Sequence, residues 1–165
     1  MQFPELILST HGPGETLALG RHMGSLLEAG DVVALVGDLG AGKTCLVQGI
    51  ARGLDVPESS YVRSPSFMIL NMYAGRCTLH HLDLYRIHSP AELEDLGYRE
   101  ILYGEGVTVI EWADKIDSLL PDEHLRVCLD FQEETGRVIT LVGMGDRYRE
   151  RWEAFMASLD RFANG

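Results

Sequence analysis

A lysine and a threonine stand side by side behind a run of glycines in GDLGAGKT, residues 37–44. Every fixed position of the pattern G-x-x-x-x-G-K-[ST] is filled, and that spacing serves phosphate binding. Glycines let backbone N–H groups turn inward without a Cβ in the way. The main chain of Asp38, Leu39, Gly40, Ala41 and Gly42 would therefore line the cradle. A helix starting behind Gly42 adds the positive end of its dipole. Lys43 would reach the β- and γ-phosphates, and Thr44 would place its hydroxyl on Mg²⁺. The chain has only two lysines, Lys43 and Lys115, so the loop uses one of them. A compact ammonium suits such a loop where a planar guanidinium would not serve the same geometry.

A phosphate loop also needs an acid near its metal. Two carboxylates end apolar stretches downstream: Asp83 in HLDLYR (81–86) and Glu111 in VTVIEW (107–112). On a strand, His81, Asp83 and Tyr85 share one face while Leu82 and Leu84 take the other. Taken alone, Asp83 could equally be a solvated strand-end acid and Glu111 a surface residue at a turn. His81-x-Asp83 has the look of a metal pair, but two residues on one strand are a weak basis for one.

These groups need a scaffold, and the apolar periodicity supplies it. Leu19, Met23, Leu26 and Leu27 form one stripe of a helix over 15–29, which Gly30-Asp31 punctuates. Val32 to Val36 reads as a strand buried on both faces. Leu46, Val47, Ile50 and Leu54 resume helical spacing after the glycine loop. Residues 67–73 and 78–85 read as strands around a turn at Ala74-Gly75-Arg76, a hairpin. Ser89-Pro90-Ala91-Glu92 matches a capping box with proline at the first helical position, and predicts a short helix to about Leu96. Residues 107–110 form another compact strand. Alternation over 125–131 and 137–142 around Thr135-Gly136 gives a second hairpin, and 148–162 closes the chain as a helix. The expected fold is α/β: a mixed, mainly parallel sheet flanked by helices, with antiparallel hairpins, in one domain over 1–165.

Composition narrows the function classes. The 165 residues carry 14 basic and 25 acidic side chains, a net charge of −11. Such a field repels bare nucleic acid, and no Lys/Arg cluster offsets it. Cys45, Cys77 and Cys128 are widely spaced and odd in number, which fits a reducing cytoplasm rather than a disulfide framework. No basic region followed by a long apolar run opens the chain, and no apolar segment approaches bilayer length. The expectation is a cytoplasmic protein without a membrane partner.

GDLGAGKT, then SPSF at 64–67, then HLDLYR, then IEW at 110–112 together resemble the bacterial TsaE family, in its order and over roughly 15–142. That family supplies the ATPase needed to make threonylcarbamoyladenosine on tRNA. The resemblance implies an ATP/ADP site with Mg²⁺. It implies Thr44 and Glu111 as magnesium ligands, and Asp83 as the acid near the γ-phosphate. It also places Trp112 beside the nucleotide, and matches Glu15, Thr16 and Arg137 to positions that border it. Lys43, Asp83 and Glu111 are then the catalytic set. SPSF resembles a switch-like segment that usually has threonine where Ser66 stands. Cys45 stands where the family commonly has serine or threonine. The implied partners are TsaD and TsaB, with hydrolysis resetting their complex and tRNA engaged only indirectly. Hydrolysis would be slow in the isolated chain, with Arg63, Arg86 or a partner supplying any arginine finger.

Two other uses of the loop stand beside this one. A small-molecule kinase needs an acceptor pocket and usually an arginine-bearing lid, and no lid insertion is visible. A nucleotide-dependent regulator or scaffold would need binding without turnover. The absence of a guanine-reading N/T-K-x-D string favours ATP.

Overall fold

The computed structural model describes residues 5–64 and 69–164. Its strands are β1 (Glu5–Thr10), β2 (Val32–Val36), β3 (Leu70–Tyr73), β4 (Leu79–Asp83), β5 (Val107–Glu111), β6 (His124–Gln132) and β7 (Gly136–Met144). Its helices are α1 (Pro13–Leu26), α2 (Lys43–Gly53), α3 (Ala91–Glu94), α4 (Tyr98–Leu102) and α5 (Asp146–Asn164). Short 3₁₀ turns occupy Glu58–Ser60 and Ala113–Leu119.

The strands form one sheet in the order β1-β7-β6-β2-β5-β4-β3. Its centre, β6-β2-β5-β4, is parallel. The margins are antiparallel, through β1 on β7, β7 on β6 and β3 on β4. Both expected hairpins are present, and β2 spans the expected residues. It is apolar throughout because both of its faces are covered. Val33 and Leu35 face a layer built on α1, α2 and α5. Val32 and Ala34 face a thinner layer that includes Leu93, Tyr98, Leu102 and Ile116.

Several expected boundaries move. α1 starts two residues earlier than expected because Pro13 takes a first-turn position, and it stops when Leu27 turns extended (φ −74°, ψ 148°). β4 ends at Asp83, whose carboxylate accepts the Tyr85 N–H at 3.0 Å and turns the chain. Tyr85 therefore lies past the strand and does not share the face of His81 and Asp83. The first residues of the expected strand 67–73, and Pro65 to Phe67 of SPSF, lie outside the described residues. β1 and α4 are further elements that apolar patterning did not assign. Only the return half of the expected capping box forms. Glu92 accepts the N–H groups of His88 (2.8 Å) and Ser89 (3.3 Å), but no side chain caps α3, its N-cap position is Pro90 rather than Ser89, and it ends at Glu94.

Two tertiary features hold the scaffold that carries the glycine loop. The first is the crossing of α1 and α2, where Gly20 and Gly24 face Gly49 and Gly53. A Cβ on Gly49 would lie 2.2 Å from the Leu17 carbonyl oxygen, and one on Gly24 would lie 2.2 Å from that of Ile50. The helices thus meet backbone to backbone, and no other residue type allows that approach. The second is Asp31, which is fully buried at the start of β2. It accepts hydrogen bonds from Arg147 Nε (2.8 Å), Arg151 (2.7 and 3.1 Å), the Tyr148 hydroxyl (3.0 Å) and the Glu28 N–H (2.7 Å). This cluster ties α5 to the sheet. Among the described residues no helix is long and apolar enough to cross a membrane.

Candidate functional site

The chain leaves β2 at Val36, turns through 37–42 and enters α2 at Lys43. Gly40 (φ +82°) and Gly42 (φ +100°) both take the left-handed backbone that turns the loop, a conformation a side chain would strain. Arg137, reaching over from β7, donates to the carbonyls of Ala41 (Nε, 2.9 Å) and Gly40 (3.2 Å). Its guanidinium lies 4.6 Å from the centroid of the Phe131 ring. In a trans peptide the carbonyl and the following N–H point in opposite directions, so drawing the Ala41 carbonyl outward turns the Gly42 N–H inward. Arg137 thereby favours an inward amide at Gly42, while the Ala41 N–H donates to the Asp38 carbonyl at 3.0 Å.

Lys43 is buried, and its Nζ donates to the carbonyls of Gly37 (2.6 Å) and Asp38 (2.9 Å). It also sits 4.1 Å from the centroid of Trp112. Burial pushes the Lys43 ammonium down. The nearby Glu111, Asp83, Asp38 and Asp114 oppose this without cancelling it. The loop thus holds its cation by its own carbonyls, at a position from which a phosphate could take it.

The carboxylates arrive by sheet register. β4 and β5 are parallel, and Asp83 pairs with Glu111 at their C-terminal ends. Alternation turns both side chains toward the α2 face, into the crevice beyond the strand ends where α/β sheets bind ligands. Glu111 is buried. Its Oε1 and Oε2 accept from Thr44 Oγ1 at 3.1 and 3.3 Å, and Oε2 also accepts from Ser64 Oγ at 3.1 Å. Ser64 and Thr44 are themselves 2.6 Å apart. Burial pushes the Asp83 carboxyl up. The Tyr85 N–H and the Ser64 hydroxyl pull it down and Glu111 pushes it further up, so the net direction is upward.

Trp112 follows Glu111 with φ +61°, an outlier for a bulky side chain that costs roughly 1–3 kcal/mol. The turn swings its indole away from the strand, over Lys43 and to 5.1 Å from Tyr85. The resulting cleft of about 360 Å³ is lined by Leu39, Gly40, Gly42, Lys43, Thr44, Cys45, Ser64, Asp83, Tyr85, Glu111 and Trp112. A larger hollow of about 620 Å³ lies at the other end of β2, around Gly30, Tyr103 and Arg147. It has neither a glycine loop nor a strand-end carboxylate pair, so size does not mark the site.

Of the residues expected from sequence, Lys43, Thr44, Asp83, Glu111 and Trp112 converge on one cleft with the loop. Asp38 is exposed, contributing its carbonyl, and Leu39 is 70% exposed at the loop tip. Thr16 is buried, bonded to Thr10 Oγ1 at 2.8 Å. Thr16 and Arg137 both border Gly42, where a Cβ would come 3.9 and 4.0 Å from them. Glu15 stands at the first turn of α1, accepting the His11 N–H at 2.6 Å. Arg63 and Arg86 are exposed. Cys45 donates its thiol to the Pro13 carbonyl (3.3 Å), and burial pushes that thiol up, which fits packing rather than reactivity.

Two residues were not singled out as site members from sequence. Ser64 joins Thr44, Glu111 and Asp83, and its only signal was the opening position of SPSF. His81 contacts Glu111 at 2.6 Å, and its signal was the shared strand face with Asp83. No group of three or more His, Cys, Asp or Glu among the described residues could hold a metal by itself. The donors present at the loop are hydroxyl and carboxylate oxygens. That set suits Mg²⁺, which commonly takes one or two carboxylates and completes its shell with phosphates and water.

Comparison with known proteins bears on this geometry. The family described as "Threonylcarbamoyl adenosine biosynthesis protein TsaE" matches residues 10–139. The chain is 43% identical over 127 residues to the tRNA threonylcarbamoyladenosine biosynthesis protein TsaE of Treponema pallidum, covering 77% of this chain and 93% of that one. It is 40% identical over 140 residues to the Bacillus subtilis protein of the same name, covering 84% and 86%. The crystal structure of Bacillus subtilis YdiB superimposes with a TM-score of 0.78 at 32% identity, covering 98% of each chain.

Proposed function

The chain belongs to the TsaE family, and on that premise we propose that it is a magnesium-dependent ATPase of tRNA threonylcarbamoyladenosine biosynthesis that acts through TsaB and TsaD. The observation that carries the ATPase reading is the meeting of the strand-end acids with the loop. Thr44 Oγ1 lies 3.1 Å from Glu111 Oε1, and Asp83 pairs with Glu111 on the next strand.

Each residue then has a task. Inward amides of the loop and the N-terminus of α2 receive the β- and γ-phosphates. Lys43 exchanges the carbonyls of Gly37 and Asp38 for phosphate oxygens. Thr44 and Glu111 would hold Mg²⁺, which would supply neutralisation of the phosphate charge. Asp83, its carboxyl shifted upward by burial, accepts a hydrogen bond from the attacking water and orients it. Trp112 covers Lys43 and limits solvent at the phosphates.

Among the described residues lining the cleft, Lys43 is the single basic side chain. Phosphoryl transfer gains much of its rate from a further cation at the transition state. Turnover by the isolated chain is therefore slow, and docking on TsaB–TsaD accelerates it. Hydrolysis resets that complex, and tRNA is engaged through the partners, in keeping with the net charge of −11. The test is to add the purified chain to TsaB, TsaD and tRNA. Restored tRNA modification, lost again in Glu111→Ala while nucleotide still binds, is the expected result. A chain that neither binds ATP nor restores modification overturns the proposal.

A further inference from the structure

We infer that His81 is a positioning residue that decides which oxygen of Glu111 is offered to the nucleotide site, an assignment that rests on the magnesium–nucleotide reading above. His81 lies on β4 two residues before Asp83, level with Val109 on β5, and is fully buried. Its Nε2 is 2.6 Å from Glu111 Oε2. Among the described residues its Nδ1 has no partner.

Those contacts select one tautomer. With the proton on Nδ1, the Nε2 lone pair would face a carboxylate oxygen at hydrogen-bond distance. An N–H donor would also be stranded in the core, and a buried orphan donor is rarer than an under-satisfied acceptor. With the proton on Nε2, the carboxylate gains a donor and only an acceptor is left unpaired. His81 therefore donates from Nε2 to Oε2.

The consequence is an asymmetric carboxylate. Oε2 takes the buried His81 at 2.6 Å and Ser64 at 3.1 Å as its closer donors, with Thr44 Oγ1 at 3.3 Å, while Oε1 has Thr44 Oγ1 at 3.1 Å. Thr44 and Oε1 are thus the adjacent oxygens free to turn together toward a cation beside the phosphates. A carboxylate without His81 could rotate Oε2 into that position or collapse onto Thr44. Residues that fix a metal ligand's orientation in this way typically contribute about 10–100-fold to metal affinity.

The test uses the full chain and calorimetric binding of a non-hydrolysable ATP analogue, with Mg²⁺ and with EDTA. His81→Gln places an amide N–H near the position of Nε2; His81→Leu keeps the bulk and removes the donor. In the wild type, Mg²⁺ raises analogue affinity. In His81→Leu that gain falls about 10–100-fold while affinity in EDTA is unchanged, and His81→Gln keeps most of it. A Leu variant that keeps the gain, or a Gln variant that loses it as fully as Leu, overturns the inference. A wild type with no gain overturns the magnesium reading itself, and this inference with it. Should the Leu variant fail to fold, nitrogen-resolved NMR of His81 in the wild type decides. A protonated Nε2 beside a bare Nδ1 is expected, and a proton on Nδ1 refutes the assignment.

Discussion

Replacing Asp31 by Asn tests how the scaffold is held apart from how it acts. The carboxylate is fully buried and accepts from two arginines, a tyrosine and a backbone N–H. Removing one charge of a buried pair typically costs about 3–5 kcal/mol, because the partner is left uncompensated. Here the partners are not wholly dry: the Arg147 and Arg151 side chains are 33% and 24% exposed. Water recovers part of their loss, so the lower figure of about 3 kcal/mol applies. In a domain of this size 1 kcal/mol moves Tm by about 2–4 °C, so the variant should melt about 6–12 °C lower. The pH dependence has a definite sign. Burial alone would raise the Asp31 carboxyl, but hydrogen bonds from Arg151, the Glu28 N–H and Arg147 outweigh it and hold the group below its ordinary value. A lowered folded value means the stabilisation is complete above the unfolded value, about 3.9, and disappears as pH falls through the folded one. The gap between wild-type and Asp31→Asn melting curves should therefore be constant near neutrality and narrow below about pH 4. Nucleotide affinity of the folded variant at 25 °C should be unchanged, since Asp31 precedes β2 and the glycine loop follows its far end. A Tm loss under about 2 °C, or a gap that does not narrow in acid, would refute the argument.

Other perturbations separate structure from chemistry in the site itself. Gly49→Ala should destabilise by about 1–3 kcal/mol by chemical denaturation despite better helix propensity, because its Cβ meets the Leu17 carbonyl oxygen at 2.2 Å. The same variant should weaken nucleotide binding in calorimetry, since α2 carries Lys43 and Thr44 at its start. Asp83→Asn should abolish turnover in a phosphate-release assay yet raise Tm of the nucleotide-free protein. Burial, with the neighbouring Glu111 adding to it, shifts the Asp83 carboxyl upward, so its charged form costs stability at neutral pH. Lys43→Ala should abolish ATP binding in equilibrium dialysis while leaving the melt close to wild type, because the ammonium's present partners are loop carbonyls that water can satisfy.

Much of this site was legible in the residues because its geometry is local. A strand, six loop residues and a helix start are contiguous, so the fixed positions of GDLGAGKT carry the arrangement with them. Asp83 and Glu111 were legible only as acids at strand ends. Their meeting depends on the parallel register of β4 and β5, which local periodicity does not report. Asp31 reads as turn punctuation in Gly30-Asp31, since its side-chain partners come from α5, more than a hundred residues away. Gly20, Gly24, Gly49 and Gly53 read as weak helix formers, and only the crossing of α1 on α2 turns that weakness into a requirement. β1 is a short edge strand whose ladder pairing is with β7 alone, so its six residues carry little signal of their own. Arg137 was expected to border nucleotide; the structure has it gripping the carbonyls of Gly40 and Ala41.

The most direct test of the central claim is ATP hydrolysis by the purified chain, measured with Mg²⁺ or EDTA, alone and with TsaB and TsaD. Slow, magnesium-dependent turnover by the chain alone is expected, with a clear rise when both partners are present and loss of all turnover in Asp83→Asn and Glu111→Ala. Turnover that is the same with and without the partners, or that persists in EDTA, would contradict the claim.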